Sequence, residues 1–440
     1  MLAAQCQSLI EAWHYAPTDH VLHVLPLNHI HGLMNGLLAP LYAGCSIEFL
    51  RHSDLSMAEA IWCRLAARFI RHDQRAYIDT NHIEHVRKDS VASDTGDPAR
   101  VRPSCASKTF RGRAISVFTA VPTIYKNMLE AFPRLDPTTQ DAAKEAIKPE
   151  NLRLPMSGSA PLPRNIQAQW AELSQGSMIL ERYGMTETGM ILSCGLEASS
   201  KIVGSVGWPL PSVSVRLVSG GGDGEIIEQA EHDTPDTGRR EGEIQVHGNG
   251  IFAGYHGDHK RENDWKVDPD GVRWFRTGDI AYRDPSLIRL NGSTNADSAE
   301  PWIKGSPYII LGRLSMDIIK SGGEKISALE VETAIYSVLE DISEVAVLGV
   351  PSERWGQRLA AVIVMKRSKT DSEREAGQIR KVRALEITRQ LSSVLSKEKI
   401  PRLWKSVPAI PRNAMGKVNK SELGRLLWPG RYAGADAPLD

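Results

Sequence analysis

The chain has 440 residues, with 53 Lys plus Arg against 53 Asp plus Glu and 41% hydrophobic residues. That length predicts two or three folding units rather than one. A formal net charge of zero leaves no field-level case for a nucleic-acid or anionic-membrane partner, and the ordinary globular composition argues against wholesale disorder and against a fibrous protein. Cys6, Cys45, Cys63, Cys105 and Cys194 contain no CxxC pair, so neither a zinc knuckle nor a disulfide framework is suggested and a reducing compartment is the default. The start, MLAAQCQSLIEAWHYAPTDH, lacks the basic and apolar regions of a secretory signal, and no run of about 18 apolar residues occurs. No integral membrane segment is therefore expected, and an intracellular location is, without distinction between cytoplasm, mitochondrion and peroxisome.

Apolar spacing at Leu2, Cys6, Leu9, Ile10 and Trp13 predicts an opening helix, APTD a turn, and VLHVLPL a buried strand. Strand-like runs follow at 115–122, 212–218, 242–248 and 345–351, and helical patterns at 123–131, 164–174 and 328–339. A strand-rich segment, 345–366, precedes a helix predicted over 372–397, where apolar residues keep to one face. Two polar stretches, 70–113 and 284–307, interrupt this alternation and read as disordered insertions. The fold class is α/β, with β-rich material in the middle and a small α+β unit over the last third.

The strongest chemical signal is LERYGMTETGM at 180–190, following MSGSAPLP at 156–163. A Gly between an aromatic residue and Met-Thr-Glu sets a tight turn beside a hydroxyl and a carboxylate, a pair that can grip a phosphate oxygen and its Mg²⁺. The same residues also suit a strand-to-helix turn with Thr186 as N-cap and Glu187 in the first helical turn. Further along come GSVGWPLP at 204–211 and EGEIQVHGNGIFAGYHG at 241–257, then DGVRWFRTGDIAYRD at 270–284. In the last of these, Asp279 follows a turn, placed either to bond two vicinal ribose hydroxyls or simply to sit in solvent. GRLSMDIIKSGGEKISALEVE at 312–332 and PRNAMGKVNKSEL at 411–423 each combine basic residues with Gly.

In that order, YGMTE, GEIQVHG, WFRTGD, GRLSMDIIKSGG and PRNAMGKVNK resemble the motifs of the acyl-adenylate-forming family, which comprises acyl-CoA synthetases, adenylation domains and luciferases. The likeness runs from VLPLNHIHG at 24–32 to PRNAMGK. Within the family the chain looks most like the malonyl-CoA synthetases, in which an Arg immediately before YGMTE holds the second carboxylate of malonate; Arg182 occupies that place. A guanidinium fork suits a carboxylate, and a buried Arg facing a monocarboxylic chain would go unpaired. The structural alternative is that Arg182 pairs with Glu181 or a neighbouring helix.

The resemblance implies a large adenylation portion over 1–312 and a smaller, mobile α+β C-terminal domain over 313–440, hinging near Leu314 to Asp317. It implies ATP, Mg²⁺ and coenzyme A, small-molecule partners with malonate the favoured acid, no nucleic acid, and a monomer or homodimer. Two half-reactions follow: acid plus ATP gives acyl-adenylate and pyrophosphate, then the CoA thiol displaces AMP. Carried onto this sequence, Thr186 bonds the α-phosphate, Glu187 binds Mg²⁺, and Gly158, Ser159, Ala160, Tyr183, Gly184 and Met185 line the nucleotide. Asp279 and Arg313 hold the ribose, His29 lies against the acyl group and the pantetheine tunnel, and Ser321, Gly322 and Gly323 meet the CoA channel. Lys417 reaches the carboxylate and the α-phosphate during adenylation. His23, His29 and His31 also suggest a metal cluster, but no Cys or carboxylate completes a ligand set. The family's Ser/Thr/Gly-rich phosphate loop is not found within 1–440, so the adenylation portion is expected to be incomplete at its start and adenylation weak. A non-catalytic, nucleotide-binding remnant of the fold, or a synthetase for other short or medium-chain acids, is the alternative.

Overall fold

Short β-branched and apolar runs, each flanked by Pro, Gly or a polar turn, are too brief for helices and pair as strands. The computed structural model describes residues 1–50, 55–70, 113–219, 224–229, 239–257, 264–287, 300–339, 341–366, 384–412 and 418–432. Its contacts divide the chain into two units, one made of Met1–Ser214, His247–His259 and Leu287–Pro307, the other of Val215–Val246, Lys260–Ser286 and Tyr308–Asp440. The mid-chain strands thus group with the C-terminal segment, so this division falls elsewhere than at 312/313.

The first unit carries β1 (His20–His23), β2 (Ser46–Phe49), β3 (Val117–Ala120), β4 (Leu154–Ser157), β5 (Leu180–Met185), β6 (Gly189–Ser193) and β7 (Trp208–Pro209). They form one sheet in the order β2-β1-β3-β4-β5-β6-β7, parallel from β2 to β5 and antiparallel beyond. Its helices are α1 (Leu2–Trp13), a π-helical stretch His31–Leu38 continued by α2 (Ala39–Tyr42), α3 (Met57–Ala66), α4 (Pro122–Ala131), α5 (Pro137–Ala146) and α6 (Arg164–Leu173). Local chemistry fixes their starts: Ser56 and Glu59 form a capping box on α3, Asp136 caps α5 through Thr139 N–H at 3.0 Å, and Pro122 and Pro137 occupy first positions.

Because successive side chains of a strand face opposite ways, β3 feeds two cores. Phe118 and Ala120 join Trp62, Tyr125 and Trp170 on one face of the sheet; Val117 joins Leu9, Trp13, Met34, Leu154, Met156 and Leu180 on the other. Helices therefore cover both faces, the arrangement in which ligands settle at the carboxyl ends of the strands.

The second unit holds two sheets. One comprises β8 (Val213–Val218), β9 (Ile226–Gln229), β10 (Arg240–Gly248), β11 (Trp265–Val267), β12 (Arg273–Arg283) and β13 (Tyr308–Arg313), ordered β11-β12-β10-β8-β9 with β13 on β12. The other comprises β14 (Ile318–Ser321), β15 (Glu324–Ser327), β16 (Ile342–Ser352), β17 (Gly356–Met365) and β18 (Leu403–Ser406), ordered β15-β14-β17-β16 with β18 parallel to β17. Helices α7 (Ala328–Val338), α8 (Ala384–Leu391), α9 (Lys420–Leu427) and the short α10 (Pro429–Tyr432) accompany them.

The strands and helices read from periodicity reappear, with α8 shorter than the 372–397 helix expected: among the described residues it ends at Leu391, and Lys397–Lys399 form a 3₁₀ turn. The described end of the 284–307 stretch is not a disordered insertion. Glu300 is 2% exposed and accepts both 3.0 and 3.1 Å bonds from Leu196 N–H, Ile303 is buried, and Gly305 C=O accepts from Trp208 Nε1 at 2.7 Å. Of the 70–113 stretch only Ile70 and Arg113 are described, and 288–299 also lies outside the described residues. Cys6, Cys45 and Cys194 are buried free thiols whereas Cys63 takes part in a disulfide, which corrects the reading of unbridged cysteines at that position. Among the described residues no helix is long and apolar enough to cross a membrane.

Candidate active site

The phosphate motif forms a hairpin. β5 and β6 pair antiparallel with Arg182 opposite Ser193 and Met185 opposite Gly189, and Thr186, Glu187 and Thr188 form the turn. This corrects the strand-to-helix reading: after Met185 the chain reverses into β6, which β7 covers on its far side. A register shift falls at Tyr183/Gly184, and a Cβ on Gly184 would stand 2.0 Å from Gly189 O. Glycine is needed here for close backbone approach. Gln5 of α1 braces the far strand, its Oε1 accepting from Met190 N–H at 2.9 Å and its Nε2 donating to Met190 O at 3.2 Å. Thr186 is exposed, while the Glu187 carboxylate accepts from Tyr255 Oη at 2.9 Å and its backbone carbonyl from Phe252 N–H at 2.9 Å. Tyr255 was not singled out from sequence; the Gly-rich continuation of EGEIQVHGNGIFAGYHG was the available signal.

Alternation along β5 sends Glu181 and Arg182 to opposite faces. Glu181 accepts from Leu162 N–H at 3.4 Å, and burial pushes its carboxyl up to about 8. Arg182 is 3% exposed, with Nε and Nη2 lacking hydrogen-bond partners, and burial pulls the guanidinium down to about 9, leaving it cationic at neutral pH. The pairing of Arg182 with Glu181 is thereby overturned. The guanidinium lies along Gly158, where a Cβ would sit 2.3 Å from Nη1. Gly158 follows β4 and is buried, Ser159 takes the left-handed conformation at φ 68°, and Ala160 is exposed.

His31 is the histidine built into this face. It is 1% exposed, with Nε2 2.6 Å from Thr119 Oγ1 and Nδ1 3.2 Å from Ser159 Oγ. Burial first, then the charge of Arg182, hold its pKa well below the usual imidazole range. His29, the histidine expected against the acyl group, is half-buried, and its Nδ1 accepts from His31 N–H at 3.2 Å. His23 is spent on packing, bonded to Gly32 O at 3.0 Å and stacked on Phe49 at 4.8 Å. His31 and Thr119 were not assigned from sequence, since the HIHG spacing alone does not say which imidazole turns inward.

Glu181 makes a pH prediction. Its native carboxyl holds the proton more tightly than an unfolded one, so the stability it contributes is complete below the ordinary value of 4.5 and is lost as pH rises through about 8. Glu181→Gln, which stays neutral, should melt above wild type at pH 9 by the equivalent of about 1–3 kcal/mol, with the gap closing toward pH 5. Thermal melts across that range check it; a pH-independent gap would contradict the assignment.

In the second unit, Asp279 and Arg313 are direct cross-strand partners on β12 and β13, and Arg313 Nε donates to Asp279 Oδ1 at 3.1 Å. Asp279 is 8% exposed, so the turn residue is not a solvated bystander. Asp317 supports the pair, its Oδ2 accepting from Arg313 N–H at 3.1 Å, while its Oδ1 lies 2.7 Å from Lys420 Nζ; Lys420 also reaches Glu332 at 2.9 Å. Ser321 ends β14, and Gly322 and Gly323, at φ 61° and 92°, form the two-residue turn to β15 that only glycine takes readily. Lys417 lies outside the described residues. Also among the described residues, no group of three or more His, Cys, Asp or Glu could hold a metal.

Comparison with known proteins follows these landmarks. The family profile described as AMP-binding enzyme matches residues 95–256, and that of the AMP-binding enzyme C-terminal domain matches 330–417, together more than half of the chain. A protein named CoA ligase from Gibberella moniliformis is 44% identical over 426 residues, covering 96% of this chain and 64% of that protein. The mitochondrial malonate–CoA ligase of Mus musculus is 34% identical over 438 residues, covering 97% of this chain and 61% of the relative. The crystal structure of ATP-bound MatB from Rhodopseudomonas palustris superposes with a TM-score of 0.65 at 26% identity, covering 97% of this chain and 63% of that one. The chain thus spans a little over three fifths of the length of these proteins. With the hairpin, the Asp279–Arg313 pair and these matches together, the chain belongs to the AMP-binding enzyme family.

Proposed function

We propose that the chain carries the activity of an ATP-dependent acid–CoA ligase whose favoured acid is malonate. The observation that carries the choice of acid is Arg182, a buried guanidinium with Nε and Nη2 unpaired, lying along Gly158. A monocarboxylic acid leaves that charge unanswered, whereas the second carboxylate of a short diacid supplies the bidentate partner. Relatives named as malonate–CoA ligases support this reading.

In the first half-reaction the free carboxylate attacks the α-phosphorus of ATP and pyrophosphate departs; in the second the CoA thiol attacks the mixed anhydride and AMP departs. Thr186, exposed on the hairpin turn, donates to an α-phosphate oxygen. Glu187 fits Mg²⁺, a hard cation that is commonly held by one or two carboxylates together with substrate phosphates, and Tyr255 fixes the carboxylate's rotamer. Mg²⁺ supplies charge neutralisation at the phosphates. Gly158, Ser159, Ala160, Tyr183, Gly184 and Met185 border the nucleotide, and Asp279 and Arg313 take the ribose hydroxyls. Lys417 meets the reacting carboxylate, and Ser321, Gly322 and Gly323 the CoA channel. Purified protein supplied with ATP, CoA and either malonate or acetate tests the reading. Malonyl thioester formed in preference to acetyl thioester supports it; AMP binding without malonate-dependent turnover would replace it with a nucleotide-binding role.

A further inference from the structure

The π-helical stretch over β1's end contributes a second unexplained polar group. Asn35 is 0% exposed, and neither its Oδ1 nor its Nδ2 has a hydrogen-bond partner; its backbone carbonyl accepts from Tyr15 Oη at 3.1 Å. Buried amides are almost always paired, so an orphaned one marks a place where a partner arrives from outside. It also lies four residues beyond His31, which is nearly one turn of a π-helix and places both on one side of it. His31 bonds Thr119 near the carboxyl end of β3; Gly158 directly follows β4, and Arg182 comes one residue after the Ser157–Glu181 pair of β4 and β5. π-Helical geometry is rare and is frequent at functional sites.

We propose that Asn35 is a specificity-determining residue of the acid pocket, its carboxamide N–H donating to the same distal carboxylate of a short dicarboxylic acid that Arg182 binds. A neutral donor beside the guanidinium adds a directed bond without a second charge to desolvate, and it is silent toward an acid that ends in a methyl group. This inference rests on the ligase reading. Asn35→Leu, near-isosteric and free of the orphaned amide, is compared with wild type for thioester formation from malonate and from acetate. The melting-temperature rise on adding malonate is read in parallel, independently of turnover. The malonate-to-acetate ratio of kcat/KM should fall about 10- to 100-fold, mainly through KM, and the malonate-induced rise should shrink. Asn35→Asp, which sets a carboxylate beside Arg182 at unchanged size, should lower the ratio at least as far, and it decides the matter if the leucine variant does not fold. A ratio unchanged in both variants, or malonate and acetate falling together, overturns the role of Asn35. If Arg182→Ala loses the preference while Asn35→Leu keeps it, only the Asn35 inference fails. A wild-type protein without any malonate preference overturns both.

Discussion

Replacing Arg182 by methionine is expected to lower the malonate-to-acetate ratio of kcat/KM by roughly 10²- to 10³-fold while raising the melting temperature of the free protein. The two halves share one cause. Arg182 is buried with two nitrogens unpaired among the described residues, so the folded chain carries much of the desolvation of a cation. Methionine removes that cost at similar volume, worth about 1–4 kcal/mol to the free protein. For malonate the same change leaves a buried carboxylate without its cationic partner, which costs on the order of 3–5 kcal/mol. A purely structural arginine would behave oppositely, losing stability and affecting all acids alike. Kinetics with the two acids and a melt of each protein check this; a less stable variant with an unchanged acid ratio would remove Arg182 from the acid site.

Gly184→Ala should be severely damaging. The added methyl would meet Gly189 O at 2.0 Å and Met190 Cα at 2.8 Å, both backbone of the paired strand. Neither can rotate away, so β5 and β6 must separate or the Gly184 bulge must be lost, at a cost of about 3 kcal/mol or more. The hairpin presents Thr186 and Glu187, and so ATP-dependent activity should fall at least about 100-fold even in the fraction that stays folded. Far-UV circular dichroism with urea unfolding measures the first effect and malonate-dependent ATP–pyrophosphate exchange the second. Wild-type stability in this variant would mean that the bulge does not exist.

Periodicity alone placed the opening helix, the strands near 117, 213, 242 and 345, and the helices near 122, 164 and 328, because local patterns of two and 3.6 residues reflect which faces must leave water. The ordered motifs fixed the family and pointed to Arg182, Glu187, Asp279 and Arg313. Three matters lay beyond local pattern. Whether TETG opens a helix or closes a hairpin depends on whether another strand waits to pair, and Ser193 opposite Arg182, Trp208 opposite Ser193, and Gln5, bonded to Met190 185 positions away, decide that. Which of two adjacent charged residues, Glu181 or Arg182, turns toward Gly158 is set by the parity of β5 against the two cores. Which of three histidines turns inward, and that Asn35 is left without a partner, follow from the packing of the π-helical stretch against Thr119 and Tyr15. The sequence by itself determined the chemistry available, since a guanidinium, a carboxylate or an amide is what it is wherever the chain runs. Only the tertiary structure decided which of those groups are satisfied and which are left for a ligand, because hydrogen-bond satisfaction in the interior is a property of neighbours brought together across the sheet.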